Sequence, residues 1–188
     1  MIDKYQEYID LCFQDVPTSL IVGLLIVFCL GTILAVAFLG IKKGLKWSVG
    51  LMLLEYAVLI LILTVLGRIV EEERMYDFTP FWSYRVIRKG HELILTQVIA
   101  NVGAFVPIGL LLGCAFGKRM KWWKVLIIGG GFSLLIETLQ FVMKRGFAEV
   151  DDVMLNVVGC MIGWGVYVGV EWMVIRFSKT KNIDKAVC

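Results

Sequence analysis

The segment WKVLIIGGGFSLLIETLQFV, residues 123–142, carries only two charges, Lys124 at its start and Glu137 near its end. As a helix it is apolar on every side, so it offers water no face. A hydrocarbon layer of about 30 Å takes about 20 such residues, because each backbone N–H and C=O must be satisfied within the segment itself. The bilayer is therefore the solvent of this segment, and the rest of the chain reads the same way. Comparable runs cover 19–41, 47–66 and 153–175, and a fifth, 94–117, holds Asn101 and Pro107. With 59% hydrophobic and 19% charged residues among 188, the chain is too apolar for a water-soluble domain. The fold expected is all-α: a polytopic membrane helical bundle of about five transmembrane helices.

Lys and Arg near span ends are retained in the cytoplasm, so loop charge orients the bundle. One set of loops holds Lys42, Lys43, Lys46, Lys118, Arg119, Lys121, Lys124, Arg176, Lys179, Lys181 and Lys185 against the single acid Asp184. The other set, comprising 1–18, 67–93 and 143–152, mixes eight basic with twelve acidic residues. The first set is expected inside and the second outside, giving an N-out, C-in topology. The net charge of +3 is then a sum over two compartments and gives no reason to expect a nucleic-acid partner.

Residues 1–18 are expected to form an extracellular segment with a short interfacial helix, 19–175 one five-helix domain, and 176–188 a cytoplasmic tail. The acidic segment ahead of the first run lacks the positive charge of a signal peptide, so that run is expected to be retained. The connector 67–93 turns from acidic (Glu71, Glu72, Glu73) to aromatic (Tyr76, Phe78, Phe81, Trp82, Tyr84), and Pro80 interrupts it. An interfacial loop is expected there, with membrane lipids as its surroundings, and cysteines placed at Glu72 and Glu149 should both be reachable from outside. The five cysteines show no metal-ligand spacing, and most of them read as small hydrophobes packed between helices. Gly109 with Gly113, Gly113 with Gly117, Gly159 with Gly163 and Gly165 with Gly169 match the GxxxG pattern of close helix approach. These serve packing within the chain or a homodimer seam.

Ionisable groups inside spans are costly and mark functional candidates. Glu55 and Glu171 lie nearer the cytoplasmic end, within reach of water, Lys46 or Arg176. Glu137 differs, because polar groups gather near the same membrane face. Gln140 follows it at i+3, Arg145, Asp151 and Asp152 lie in the next turn, and Asn156 is one helical turn past Asp152. Asp152, Asn156, Gly159 and Gly163 form one stripe. Asn101 enters its span from the same side, and Pro107 frees the carbonyl of Gly103. Asn101, Glu137, Gln140, Arg145, Asp152 and Asn156 are the candidate ligand-binding site, with Glu137, Asp152 and Arg145 as catalytic candidates should the protein be an enzyme. The blander reading pairs Arg145 with Glu137 or Asp152 only to pin helices together.

The blocks TPFWSYRVI (79–87), NVGAFVPIGLLLG (101–113) and SLLIETLQFVMKRGFAEVDDVMLNVVGCMIGWGVY (133–167) resemble the VanZ family. The third is the most specific, with Glu137, Gln140, Arg145, Asp151, Asp152, Asn156, Gly159 and Gly163 matched residue by residue. The resemblance implies a multi-pass protein of a bacterial, Gram-positive plasma membrane that contributes to teicoplanin-type glycopeptide resistance. It implies no reaction. Three functions are open. The first is a module binding or shielding a lipid-linked cell-wall precursor or the lipoglycopeptide at the outer leaflet, with Arg145 on a phosphate or carboxylate. The second is an enzyme modifying such a lipid, with Glu137 or Asp152 as acid or base. The third is a small transporter or flippase. His91 is the only histidine, which excludes multi-histidine chemistry; no cofactor or metal is expected.

Overall fold

The computed structural model describes residues 39–68, 70–88 and 92–187, together with 23, 26, 29–31, 33, 34 and 37. Most of the first expected span, and the interfacial helix expected over 1–18, lie outside the described residues. Helix α1 (Ile41–Leu61) begins at Gly40, whose φ of 74° and ψ of 164° occupy a region all but closed to residues with a Cβ. That glycine separates α1 from the helical positions before it. α1 runs into a π-helical turn (Ile62–Leu66), followed by strand β1 (Met75–Asp77) and the short helix α2 (Trp82–Ile87). Helix α3 (Glu92–Phe116) leads through a tight turn (Gly117–Arg119) to α4 (Trp122–Met143), strand β2 (Phe147–Glu149) and the long α5 (Val150–Val187).

The chain is thus an all-α membrane bundle. Four helical stretches are long and apolar enough to cross a bilayer, Lys43–Leu66, Ile94–Arg119, Trp122–Met143 and Val150–Ser178, within a few residues of the runs expected at 47–66, 94–117, 123–142 and 153–175. Their lipid-facing sides are large and apolar, for example Leu54, Ile99, Ile127, Leu134, Val158 and Trp172, all exposed.

The bundle is held by the crossing of α3 and α5, and glycine sets their separation. A Cβ on Gly109 would fall on the carbonyl of Cys160, one on Gly159 on the carbonyl of Val102, and one on Gly163 on the carbonyl of Val106. Gly113 faces the ring of Tyr167, and Gly129 of α4 faces the Cys160 sulfur. The GxxxG pairs of 109/113 and 159/163 therefore serve packing within the chain. Gly165 and Gly169 meet nothing within 4 Å. Around the crossing lies the core of Ile60, Val65, Phe105, Ile108, Leu112, Met120, Val125, Ile136 and Cys160, with the Phe105 and Phe132 rings 5.8 Å apart. Cys160 is the packed small hydrophobe expected. Cys29 and Cys114 are instead exposed, so for them the packing expectation is corrected.

The exception to an all-helical chain is a parallel pairing of β1 with β2, Met75 opposite Phe147, Tyr76 opposite Ala148 and Asp77 opposite Glu149. It ties 67–93 to the turn 143–152, so these two mixed-charge segments meet at one end of the bundle. Further bonds close the seam: Glu71 N–H to the Lys144 carbonyl (2.8 Å) and Lys144 Nζ to the Glu72 carbonyl (2.8 Å). The connector is a folded cap, with Tyr76, Phe78, Phe81 and Tyr84 exposed on it. One expectation is overturned here. Glu72 is exposed, but Glu149 is 2% exposed, because strand pairing turns it under the cap; a cysteine there would be closed to labelling.

Candidate functional site

The π turn that ends α1 leaves carbonyls without their usual helical donors, since widening the turn breaks the i to i−4 pattern. The α4–β2 connection supplies new ones. Gln140 Nε2 donates to the Thr64 carbonyl at 2.9 Å, and Arg145 Nη1 donates to the carbonyls of Leu66 (2.7 Å) and Arg68 (2.8 Å). Lys144 and Gly146 adopt positive φ (54° and 93°), which turns the chain sharply enough to bring Arg145 to that helix end. Arg145, expected among the carboxylates, thus spends these contacts on main-chain oxygens. The guanidinium whose charge acts on both Glu137 and Asp152 is that of Arg68.

Beneath the cap the remaining candidates do meet. Asn101 of α3 donates its Nδ2 to Asp152 Oδ1 of α5 at 2.6 Å, and Gln97, one turn earlier on α3, also bonds the Asp152 side chain. Glu137 Oε2 accepts the backbone N–H of Glu149 at 2.9 Å. Asn156 Nδ2 donates to Ser133 Oγ at 2.8 Å, joining α5 to α4 one turn below Asp152 and Glu137. Glu137, Gln140, Asp152 and Asn156 are all buried, and Asn101 is half-buried. Of the six candidates, Asn101, Glu137, Asp152 and Asn156 join one polar layer between α3, α4 and α5. Gln140 and Arg145 bind the end of α1.

Two carboxylates beyond those six complete the arrangement. Asp151 is buried and accepts two backbone N–H bonds from the cap, Phe81 to Oδ1 at 2.6 Å and Ser83 to Oδ2 at 2.9 Å. It thereby caps α2 and holds Phe81 in the left-handed region, φ 59°. Glu149 accepts the Trp82 indole N–H at 3.2 Å. Sequence reasoning gave no role to Arg68, Gln97, Ser133 or Glu149. Helical spacing carried a signal for two of them, since Gln97 precedes Asn101, and Ser133 precedes Glu137, by four residues.

Burial, with the neighbouring charges of Asp152 and Glu137 adding to it, pushes the Glu149 carboxyl up to about 9, against which the Trp82 hydrogen bond works. The folded chain therefore holds a proton on Glu149 at neutral pH that the unfolded chain releases near 4.5. Stability from this group is complete below that value and falls as pH rises toward 9. Glu149→Gln keeps an acceptor for Trp82 and removes the titration. Its thermal midpoint is expected to exceed that of the parent at pH 8 and to differ little at pH 5; equal midpoints at both would show that the carboxyl is hydrated.

Among the described residues, no three His, Cys, Asp or Glu side chains converge to hold a metal ion. The VanZ/LLP1 family model matches residues 48–175, which take in the first described span from Ser48 onward, the other three up to Ile175, and the cap between them. Protein VanZ of Enterococcus faecium is 33% identical over 98 residues, covering 50% of this chain and 53% of that protein, so the chain spans about half the length of the curated relative it matches. No solved structure matches. Matched over more than half its length, by a model that takes in the cap and the polar layer alike, the chain belongs to the VanZ/LLP1 family.

Proposed function

We propose that this protein acts in a bacterial plasma membrane, cap outward, and lowers susceptibility to teicoplanin-type lipoglycopeptides by binding or shielding a lipid-linked cell-wall precursor or the antibiotic itself. The observation that supports it is the polar layer beneath the cap. Asp152 bonded to Asn101, and Glu137 bonded to the Glu149 backbone, sit at one end of an otherwise apolar bundle, where intramembrane polar groups are expensive to keep. The relative that matches is Protein VanZ of Enterococcus faecium, and the resistance role is what the family resemblance implies for this chain. The cell-surface side is favoured by loop charge, because the end opposite the cap carries Lys118, Arg119, Lys121 and Lys124.

An enzymatic reading draws on a different observation. Glu149 stays protonated well above neutrality beside Asp152, which is the pairing of acid and base that proton transfer to a lipid-linked substrate needs. Binding is the primary reading, since Glu137, Asp152 and Asn156 are engaged in hydrogen bonds that hold the helices, and the hydroxyl oxygen of Ser133 accepts from the Asn156 amide.

The test is teicoplanin susceptibility of a sensitive Gram-positive host expressing the parent, Glu137→Gln, Asp152→Asn or Arg145→Ala at matched membrane levels. Asp152→Asn keeps an oxygen for Asn101 but turns a charge-assisted bond into a neutral one, a loss of about 1 kcal/mol, roughly fivefold in any affinity that depends on it. Protection by the parent and its loss in Glu137→Gln and Asp152→Asn is the expected result. Equal protection by all four would make the layer architectural, and no protection by the parent would remove the resistance role.

A further inference from the structure

All four exposed tryptophans lie at the end of the bundle opposite the cap: Trp47 on α1, Trp122 and Trp123 at the start of α4, and Trp172 on α5. The other two are half-buried, Trp82 bonded to Glu149 beneath the cap and Trp164 packed against the core. Helix contacts put the exposed four near one level. Tyr56 of α1 donates its hydroxyl to the Ala104 carbonyl of the antiparallel α3 at 3.0 Å. Lys43 stands thirteen residues before Tyr56, and Gly117 thirteen after Ala104, so each lies about 20 Å from that contact at 1.5 Å per residue. Gly113 and Gly117 in turn face Tyr167 of α5, which sets Trp172 and Arg176 within about two turns of the same plane. Cations share this level. Lys43, Lys46, Lys118, Arg119, Lys121 and Arg176 are exposed, and the half-buried Lys124 holds its ammonium 5.5 Å from the Trp123 ring centroid and 3.2 Å from the Arg119 carbonyl. The Arg176 guanidinium lies 5.0 Å from the Trp172 ring centroid. Among the described residues 39–48, 114–126 and 167–178, the one acid is Glu171.

We propose that this collar of tryptophans and cations binds the headgroups of anionic phospholipids, selecting them over zwitterionic ones. An exposed indole combines a large apolar surface with one N–H donor, which suits it to the boundary between hydrocarbon and headgroups. The neighbouring Lys and Arg side chains reach from that boundary to the phosphates. A zwitterionic headgroup brings an ammonium with each phosphate and leaves the charge of the collar unanswered. An anionic surface answers it, with each cation at the surface favouring it roughly fivefold. A soluble polyanion would also answer the charge, but it would leave four indoles in water. The occupant that meets both requirements is the lipid surface itself.

The exposed tryptophans are themselves the reporters. The full chain is placed in nanodiscs of equal parts phosphatidylcholine and phosphatidylglycerol, with bromine on the acyl chains of one lipid and then of the other, and quenching of the intrinsic tryptophan fluorescence is compared. Bromine quenches an indole only at close approach, so the ratio reads which lipid occupies the collar. A preference for phosphatidylglycerol of at least about fivefold is expected, falling in 1 M salt, where the Debye length is about 3 Å. The triple variant Lys118→Gln/Arg119→Gln/Lys121→Gln should bring the ratio close to one, and Lys43→Gln/Lys46→Gln should lower it in part; all five side chains are exposed. Arg88→Gln, exposed at the cap end, should keep the parent ratio. Equal quenching by the two brominated lipids in the parent overturns the proposal without any variant. A preference that survives both multiple substitutions, or one that Arg88→Gln abolishes, also overturns it, because the selective contact would then lie away from the collar.

Discussion

Gly163→Ala is expected to abolish assembly of the bundle, while Gly165→Ala, two residues away on the same helix, leaves it intact or slightly more stable. The methyl added at 163 lands on the Val106 carbonyl and crowds the Leu110 nitrogen, and neither backbone atom can rotate aside as a side-chain tip would. α3 and α5 must then separate, opening the contacts of Gly159 with Val102 and of Gly109 with Cys160 along the same seam. Overpacking costs about 1–3 kcal/mol where neighbours can yield, so a backbone clash in the central crossing lies at or above the upper end. In a membrane bundle no hydrophobic effect between helices offsets it, because lipid tails are as apolar as the helices they replace. At Gly165 the methyl meets nothing within 4 Å, and the helix gains roughly 1 kcal/mol of propensity. Monodispersity and thermal midpoint in detergent, measured for both variants, give the comparison. Similar midpoints would mean that α3 and α5 are not in backbone contact in the protein.

That pair of glycines also marks how far the sequence could be read. Spans at 94–117, 123–142 and 153–175 were legible because the bilayer leaves a spanning segment few compositional choices. The four GxxxG matches were equally visible, yet spacing alone cannot say which face of a helix meets a neighbour, and only some of them proved to lie in the seam. Asn101 was expected to meet the cluster and does bond Asp152, since both enter their spans from one end. The cap was illegible. Its strands are three residues long and pair across 72 residues, so no local periodicity announces them. Glu149 consequently read as an exposed turn residue, and the cation acting on the carboxylates read as Arg145 when it is Arg68, a residue of the cap connector. Charge type was readable; the partner depended on a non-local pairing.

The second large effect is expected at the cap's anchor. Asp151 accepts one N–H on each carboxylate oxygen, from Phe81 and Ser83, and is buried. Asp151→Asn keeps one acceptor and turns an NH2 toward the other N–H, so two buried donors face each other without an acceptor. With about 1–3 kcal/mol for each unsatisfied group, and a further cost of about 1 kcal/mol or more for Phe81 in the left-handed region that the bond now secures, α2 should leave the bundle end. Trp82 goes with it, Glu149 loses its indole donor, and water reaches the polar layer, so binding and protection should fail together while the four spans stay folded. Asp77→Asn is the matched control: its Oδ1 accepts the Thr79 N–H in an exposed turn where water replaces the bond, and an effect within about 0.5 kcal/mol is expected. Hydrogen exchange of the amides of residues 75–87 reads the outcome directly. Rapid exchange in Asp151→Asn with parent-like protection in α3 and α5 is the expected pattern. Undiminished protection of 75–87 would instead place the cap's attachment in the β1–β2 pairing and the Lys144 bonds, making Asp151 a passenger on α5.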